Sequence, residues 1–359
     1  MYEAAAGSFA GRQVTRGEFR GSASEYFGIW IVNILLTIIT LGIYSAWAKV
    51  RRNRYFYGST FVDGHSFDYH ARGLQILIGR VIVLAILIVI NLVTTFVPLL
   101  ALAAPVIFAV VLPFLLARGL RFSARVTSYR NVRFDFTGTT WGAFKSVVLG
   151  GLVAILTLGI LAPLSSRWMY RYIFNNLRYG DRPFSTDPRL GKLYRVWWPA
   201  FAVILIGGVA VIAVGVALYM AMTVTDTGID ENAPAALIFA AVYGTLIPYL
   251  LLYWSASIIY RIGVRNVVMN ASLLDGRHRL FSDMGRRRYF WIVVSNLFVT
   301  VLTLGLMRPW AAVRERRYSV EHSGIAFDGD IGEVLASMEA TGSAATAEYL
   351  DMEGFDFGF

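Results

Sequence analysis

The chain has 359 residues, of which 57% are hydrophobic, with a mean hydropathy of +0.57 and a formal net charge of +10. Soluble globular domains are about 45–50% apolar, and the excess here lies in uncharged runs such as 81–102 and 196–225, long enough to cross a bilayer. An ordinary soluble protein is therefore excluded, and the absence of cysteine excludes disulfides and thiolate chemistry.

In chain order, a polar segment over residues 1–25, predicted to be cytoplasmic, precedes the first of three similar segments. Each segment is centred on the tripeptide Thr-Leu-Gly, at residues 40–42, 157–159 and 303–305. A phenylalanine stands 13 residues before each threonine, and an Arg-Tyr pair follows 14 and 15 residues after it. This shared spacing predicts three copies of one repeat unit.

The threonine and glycine of each copy predict a break in an apolar helix. Glycine permits backbone conformations that other residues avoid, and a threonine hydroxyl can bond the carbonyl groups that a break leaves unpaired. Such a break is tolerated in a membrane only where it is packed in protein or faces water. The residues predicted to form the three breaks are Thr40, Gly42, Thr157, Gly159, Thr303 and Gly305.

Four further apolar segments predict two transmembrane helical hairpins. They lie near residues 74–97 and 104–117, joined around 98–105, and near 197–222 and 236–259, joined around 223–234. Neither turn contains a lysine or arginine, whereas 32 of the 33 basic residues lie in 1–73, 118–195 and 260–359. Short cytoplasmic loops are enriched in basic residues, so the charges predict which regions are cytoplasmic.

The charges also discriminate between two topologies. Seven full spans would put basic loops on both sides of the membrane, against the positive-inside rule. Re-entrant or bent Thr-Leu-Gly segments would put every basic loop and the C-terminus on the cytoplasmic side. We therefore expect an all-α polytopic membrane protein with three repeat units and two transmembrane hairpins, and we keep seven full spans as the alternative.

This interpretation divides the chain into five parts. The predicted parts are the N-terminal segment 1–25, repeat 1 with the first transmembrane hairpin over 26–130, repeat 2 with the second hairpin over 131–270, repeat 3 over 271–330, and an acidic, disordered tail over 331–359. The chain after Arg317 has nine acidic residues and no lysine or arginine, a composition typical of an unfolded segment.

Equivalent arginines in the three copies are the main candidates for a binding site. Arg54, Arg171 and Arg317 each follow the threonine by 14 residues, so helical geometry puts them at one depth near the cytoplasmic headgroups. Such arginines anchor a protein to anionic lipid or, alternatively, form a specific site for an anion or a lipid headgroup. Asn33 and Asn296 are further candidates, because polar residues within apolar spans often face the protein interior.

Enzymatic and nucleic-acid functions find little support in the residues. No nucleotide-binding glycine motif and no H-E-x-x-H motif occurs, so we expect no cofactor, no metal and no conventional enzyme. Asp63, His65, Asp68 and His70 form the one dense ionisable cluster, without counterparts in the other two copies. The basic residues flank apolar spans, a pattern that predicts contact with lipid and not with nucleic acid.

The first repeat resembles a known family. The segment Phe19-Arg-Gly with Glu25-Tyr-Phe, the run from Thr40 to Arg51, and the following Arg54-Tyr-Phe-Tyr resemble the YjgN family of bacterial inner-membrane proteins. The resemblance extends over roughly residues 17–330. It implies a multi-pass inner-membrane protein and brings no established activity or catalytic residues.

Two functions of different classes remain open from the sequence. The predicted breaks and the intramembrane asparagines favour transport of a small solute or lipid, since broken helices at repeat interfaces often bind substrate. The large basic face equally fits a membrane scaffold or accessory subunit that binds a protein partner, a second copy of the chain or anionic lipid.

Overall fold

The structure is a computed structural model that describes residues 13–97, 102–224 and 233–329, together with residue 336. The middles of the two predicted transmembrane turns, at 98–101 and 225–232, lie outside these ranges. The first twelve residues of the N-terminal segment and, except for residue 336, the predicted acidic tail also lie outside them.

Helices make up most of the described chain. The helices follow one another along the chain as five pairs. The pairs are α1 with α2, α3 with α4, a composite helix with α7, α8 with α9, and α10 with α11. The composite helix consists of α5, a π-helical turn and α6, which are continuous. The bounds of the helices are α1 Ala23–Ile39, α2 Ser45–Gly58, α3 Gly73–Phe96, α4 Ala104–Arg125, α5 Thr140–Ala143, the π-helical turn Phe144–Leu149, α6 Gly150–Leu156, α7 Ala162–Asn175, α8 Leu190–Val224, α9 Ala233–Met269, α10 Arg286–Leu302 and α11 Arg308–Glu321.

Four of the described helices are long and apolar enough to cross a membrane. Their apolar parts are Gly73–Phe96, Pro105–Arg125, Leu190–Ala217 and Val242–Met269, which confirms the four apolar segments predicted from the sequence. The helices Ala23–Ile39 and Thr140–Leu156, before two of the Thr-Leu-Gly tripeptides, are apolar but shorter. We call α3–α4 and α8–α9 the long hairpins, and α1–α2, α5–α7 and α10–α11 the short hairpins.

The all-α prediction is wrong, because the described chain also contains eleven β-strands in one sheet. The strands are β1 Gln13–Arg16, β2 Glu18–Phe19, β3 Thr60–Val62, β4 His65–Tyr69, β5 Thr127–Tyr129, β6 Val132–Phe136, β7 Leu177–Tyr179, β8 Arg182–Thr186, β9 Ser272–Leu274, β10 His278–Ser282 and β11 Ser323–Phe327. Each strand is too short for a clear alternation of apolar and polar residues, and the much longer apolar helices beside the strands dominate the hydrophobic pattern.

The turns of these β-hairpins did carry a sequence signal. Asp63-Gly64 and Asp275-Gly276 are dipeptides that favour tight hairpins. Both residues of each pair have positive φ, as do Arg130 and Asn131 in the β5–β6 turn. Two central residues with positive φ match the twist of antiparallel strands, so these dipeptides could have predicted the strand pairs.

The sheet closes on itself. Its order runs β1-β11-β10-β9-β8-β7-β6-β5-β4-β3-β2, and β1 and β2, at the two ends of this order, are separated in the chain by Gly17 alone. The segment 13–19 therefore pairs with β11 on one side and with β3 on the other. We call this closed arrangement the strand ring.

The helical hairpins form a second ring on one edge of the strand ring. Each of the five starts directly after one strand and ends directly before the next, so the turns of the four β-hairpins must lie on the opposite edge. Adjacent hairpins contact each other through α2 and α3, α4 and α5, α7 and α8, α9 and α10, and α11 and α1. The sequence predicted three repeat units at the positions of the short hairpins, and the structure places the two long hairpins in the same ring.

Candidate functional site

A cavity of about 950 Å³ lies on the helical side, and we call it the vestibule. Its wall is formed by the first and third short hairpins, with Arg80 of α3. On α1 the lining residues recur at helical spacing, at Tyr26, Trp30, Asn33 and Thr37. The vestibule therefore follows the first short hairpin from the strand ring towards its Thr-Leu-Gly turn.

The vestibule is strongly basic. Five cationic side chains line it, and among the described residues Glu315 is the one carboxylate in the lining. Glu315 accepts a short hydrogen bond from the hydroxyl of Tyr289. The five cations are Lys49, Arg52, Arg80, Arg308 and Arg316. Because walls of one sign concentrate the electrostatic field in a cleft, this cavity attracts anions.

A second cavity of about 270 Å³ lies inside the strand ring. Each β-hairpin contributes two lining residues, one at the end of its first strand and one in the middle of its second strand. Gly17 and Ile325 occupy the corresponding positions where the ring closes. These residues are Val62, Phe67, Tyr129, Phe134, Tyr179, Phe184, Leu274 and Leu280. The interior of the ring is therefore apolar and largely aromatic.

Two tyrosines fix neighbouring strand pairs around this cavity. The hydroxyl of Tyr129 donates to the carbonyl of Val62 at 2.7 Å, and that of Tyr179 donates to the carbonyl of Tyr129 at 2.9 Å. Burial raises the pKa of Tyr129 to about 12, so its hydroxyl stays protonated and keeps this hydrogen bond.

Arg316 and Ser319 of α11 line both the vestibule and the ring cavity. The Arg316 guanidinium lies over the ring of Tyr57, 5.8 Å from its centre, and donates to the Thr60 hydroxyl at 3.4 Å. Arg265 lines the ring cavity too, but it donates to the hydroxyls of Ser282 and Ser323 at 2.7 Å. We call the position of Arg316 and Ser319 the neck.

The three Thr-Leu-Gly tripeptides adopt one backbone geometry. The leucines Leu41, Leu158 and Leu304 have φ of 49°, 50° and 49°, and the following glycines have φ of 92°, 85° and 91°. In each copy the threonine hydroxyl donates to the carbonyl four residues before it and accepts from the amide four residues after it. The chain thereby reverses, and the second helix of each short hairpin returns to the strand ring.

The three candidate arginines lie outside the vestibule lining. Arg54 donates to the carbonyls of Tyr69 and Ala71, each at 3.3 Å, and Arg317 donates to the carbonyl of Gly21 at 2.9 Å. The Nε of Arg171 lies 3.7 Å from the carboxylate of Asp187. All three side chains remain largely exposed, and these contacts give them a structural role in joining helix to strand; binding of lipid phosphate stays a prediction.

The two candidate asparagines are both buried, at 7% and 6% exposure. Asn33 accepts from Arg51 at 3.3 Å, and Asn296 accepts from Arg314 at 3.1 Å, so both tie the two helices of a short hairpin together. Only Asn33 is also among the vestibule-lining residues of the described chain. The second copy has Gly150 instead, where an added Cβ would lie 3.0 Å from the Ser165 hydroxyl.

Sequence reasoning missed the role of the tyrosine in each Arg-Tyr pair. The hydroxyl groups of Tyr55, Tyr172 and Tyr318 bond backbone atoms of Ser22, Thr139 and Gly285, in each case 33 residues earlier. Those three residues precede the first helix of each short hairpin and are its N-caps. The constant spacing between Tyr and a capping position was the signal available in the sequence.

The vestibule cations were also missed, although a pattern pointed to them. Ser45, Lys49, Arg52 and Phe56 recur at spacings of three and four residues and lie on one face of α2. The corresponding positions of α11 include Arg308 and Ser319. Arg54 and Arg317 lie on the same two helices, α2 and α11, but on a face that does not line the vestibule. Their fixed offset from the threonine does not indicate which face of the helix they occupy.

Comparison with known proteins finds a matching family model and similar inner membrane proteins. A family model described as bacterial protein of unknown function (DUF898) matches residues 14–352. The inner membrane protein YjgN of Salmonella typhimurium strain LT2 is 26% identical over 334 residues, which cover 82% of this chain and 84% of the relative. Inner membrane proteins YjgN of Escherichia coli O157:H7 and K12 are 26% and 25% identical over 333 residues, covering 81% of this chain and 83% of each relative.

No solved structure matches the chain. The four apolar helices and the apolar composition are those expected of the inner membrane proteins to which it is similar. Because the family match covers almost all of the described residues, this chain belongs to the DUF898 family of bacterial proteins.

Proposed function

We propose that the chain is a multi-pass inner-membrane protein whose short hairpins are re-entrant repeat units. Helices α1 and α2 have 17 and 14 residues, or roughly 25 and 21 Å, less than the roughly 30 Å of a hydrocarbon core. At the three tips Leu41, Leu158 and Leu304 are 94%, 86% and 94% exposed. Exposed leucines on a short apolar hairpin fit a tip that ends within lipid.

In this proposal the strand ring and all basic loops are cytoplasmic. The support is the charge distribution, since the turn 225–232 contains acidic residues and no basic ones, whereas basic residues surround the ring. Single cysteines in this cysteine-free chain test the orientation. We expect Arg277→Cys to react with an impermeant maleimide only in inverted vesicles, and a cysteine within 225–232 to react on intact cells. The opposite result would overturn the orientation.

We further propose that the protein moves a small solute or lipid along the axis of the two rings. The observation that carries this proposal is that the vestibule and the ring cavity share the lining residues Arg316 and Ser319. A vestibule that follows a membrane hairpin and meets a second cavity at a narrow neck is the arrangement that a passage needs. Movement of the Arg316 side chain would then control the neck.

Accessibility of the neck tests this passage. Ser319→Cys should react with an impermeant thiol reagent both on intact cells and in inverted vesicles, because the proposed path reaches it from either side. Ser24→Cys, at an exposed position beside the strand ring, is the matched control and should react only in inverted vesicles.

Failure of Ser319→Cys to react on intact cells, with the control behaving as expected, would exclude the passage. The scaffold function, in which the basic cytoplasmic face binds a partner or anionic lipid, would then be favoured. Reaction from both sides would favour the passage over the scaffold function, because a scaffold does not require two connected cavities.

A further inference from the structure

We infer that the vestibule is a binding site for a phosphate-type anion carrying an apolar or aromatic group. The inference deepens the proposed function by naming its substrate class. It rests on that function only for the transport of the bound molecule. Binding itself follows from the vestibule and can be measured separately.

The first argument is the absence of internal partners for the vestibule cations. Lys49, Arg52 and Arg308 line the vestibule and make no hydrogen bond or ion pair with any residue that the structure describes. Elsewhere arginines reach carboxylates, as Arg125 reaches Asp135 at 2.9 Å and Arg182 reaches Asp275 at 2.7 Å. The five cations that line the cavity outnumber its one carboxylate among the described residues, Glu315. The cations therefore repel each other, and a bound anion relieves that repulsion.

The second argument is Arg316 at the neck. Its guanidinium makes one long hydrogen bond, to Thr60 at 3.4 Å, and its Nε is buried without a partner among the described residues. A buried donor without an acceptor is unfavourable. An anion entering the neck from the vestibule would supply that acceptor, and its phosphate oxygens would suit the planar fork of an arginine.

The third argument concerns size and the apolar part of the wall. The volume of about 950 Å³ lies at the upper end of the range for small-molecule sites and far exceeds what inorganic phosphate needs. Trp30 and Phe56 line the same cavity as the cations. A ligand that uses the whole site therefore joins a phosphate to an apolar group, as a lipid headgroup or a soluble organic phosphate does.

Binding can be measured by calorimetry on the full chain purified in a non-ionic detergent. The probes are inorganic phosphate, phenyl phosphate and dihexanoyl phosphatidic acid, with dihexanoylglycerol as the uncharged counterpart. We expect phosphatidic acid, with or without phenyl phosphate, to bind more tightly than inorganic phosphate. We expect the uncharged dihexanoylglycerol not to bind. Binding of phosphatidic acid alone identifies a lipid headgroup, whereas binding of phenyl phosphate as well identifies soluble organic phosphates.

Arg52→Gln and Arg308→Gln should each weaken binding about tenfold, the effect of losing one charge-assisted hydrogen bond. Because neither side chain has an internal partner, neither change should lower the melting temperature of the unliganded protein, which separates ligand binding from a structural role. Arg195→Gln, at an exposed position on α8 outside the vestibule, is the matched control and should bind like the parent. Raising the salt concentration should weaken binding to the parent and to the control.

The inference is overturned if no phosphate compound binds, or if Arg52→Gln and Arg308→Gln bind as tightly as Arg195→Gln. The outcomes remain distinct from those of the passage experiment. Anion binding with a neck that is closed from the outside retains the site and refutes transport. A neck open from both sides without anion binding retains the passage and refutes its proposed substrate class.

Discussion

The short and long hairpins have the same connections to the strand ring but are held together by different contacts. In the third short hairpin, Asn296 donates to the carbonyl of Ala311 and accepts from Arg314. In the second long hairpin, α8 and α9 approach through glycine, since an added Cβ at Gly263 would lie 2.0 Å from a methyl group of Val196. Polar ties therefore hold the third short hairpin, and close packing holds the second long hairpin.

This difference follows from the surroundings of each hairpin. A long apolar hairpin gains little from the hydrophobic effect in lipid, so its helices associate through small residues that allow close packing. The first and third short hairpins border the polar vestibule, and in each of them a buried asparagine accepts a hydrogen bond from an arginine. The second long hairpin is thus held by apolar packing, whereas the first and third short hairpins form most of the polar vestibule wall.

The largest expected effect comes from the close packing of the long hairpin. Gly263→Ala should destabilise the protein by about 3 kcal/mol, because three atoms of Val196 lie within 3.2 Å of the new Cβ and cannot all move away. Unfolding by sodium dodecyl sulfate in mixed micelles measures the change. Gly244→Ala in the same helix, whose Cβ would meet nothing within 4 Å, is the control. Equal stability of the two variants would contradict glycine-mediated packing.

The polar tie of a short hairpin should give a smaller effect. Asn296→Leu removes two hydrogen bonds between buried helices and should cost about 1.5 kcal/mol in the same unfolding measurement. Asn91→Leu is the matched change in a long hairpin, where the side chain is exposed, and should be neutral or stabilising. If both substitutions had the same effect, the distinction between polar ties and close packing would fail.

The smallest effect is expected at the tyrosine that holds the start of a short hairpin. Tyr318→Phe leaves the amide of Gly285 without its acceptor, 2.9 Å away in the parent protein, and should cost about 1 kcal/mol. Tyr253→Phe removes a hydroxyl from an exposed residue of α9 and serves as the control. A loss of stability at position 253 as large as at 318 would show that the 33-residue contact contributes nothing of its own.

Several features follow from the sequence because they depend on local composition. The four long apolar helices and the family were predicted correctly. The length of an apolar segment and a motif such as 40–51 are both contained in a short stretch of sequence and do not depend on distant residues. The three Thr-Leu-Gly positions were likewise visible as a fixed spacing. The short strands were overlooked because two to five residues contribute little to any hydrophobic pattern, although Asp63-Gly64 marked one of their turns.

The closed rings and the site were decided only by the tertiary structure. The pairing of β1 with β11 joins residues more than 300 positions apart, such as Gln13 and Phe327, and no local pattern encodes a contact at that separation. The faces of the helices are the second case. Arg316 and Arg317 are adjacent in the sequence, yet one lies at the neck and the other reaches the carbonyl of Gly21. Successive residues of a helix point about 100° apart, so only the packing of α11 against its neighbours determines which arginine faces the cavity.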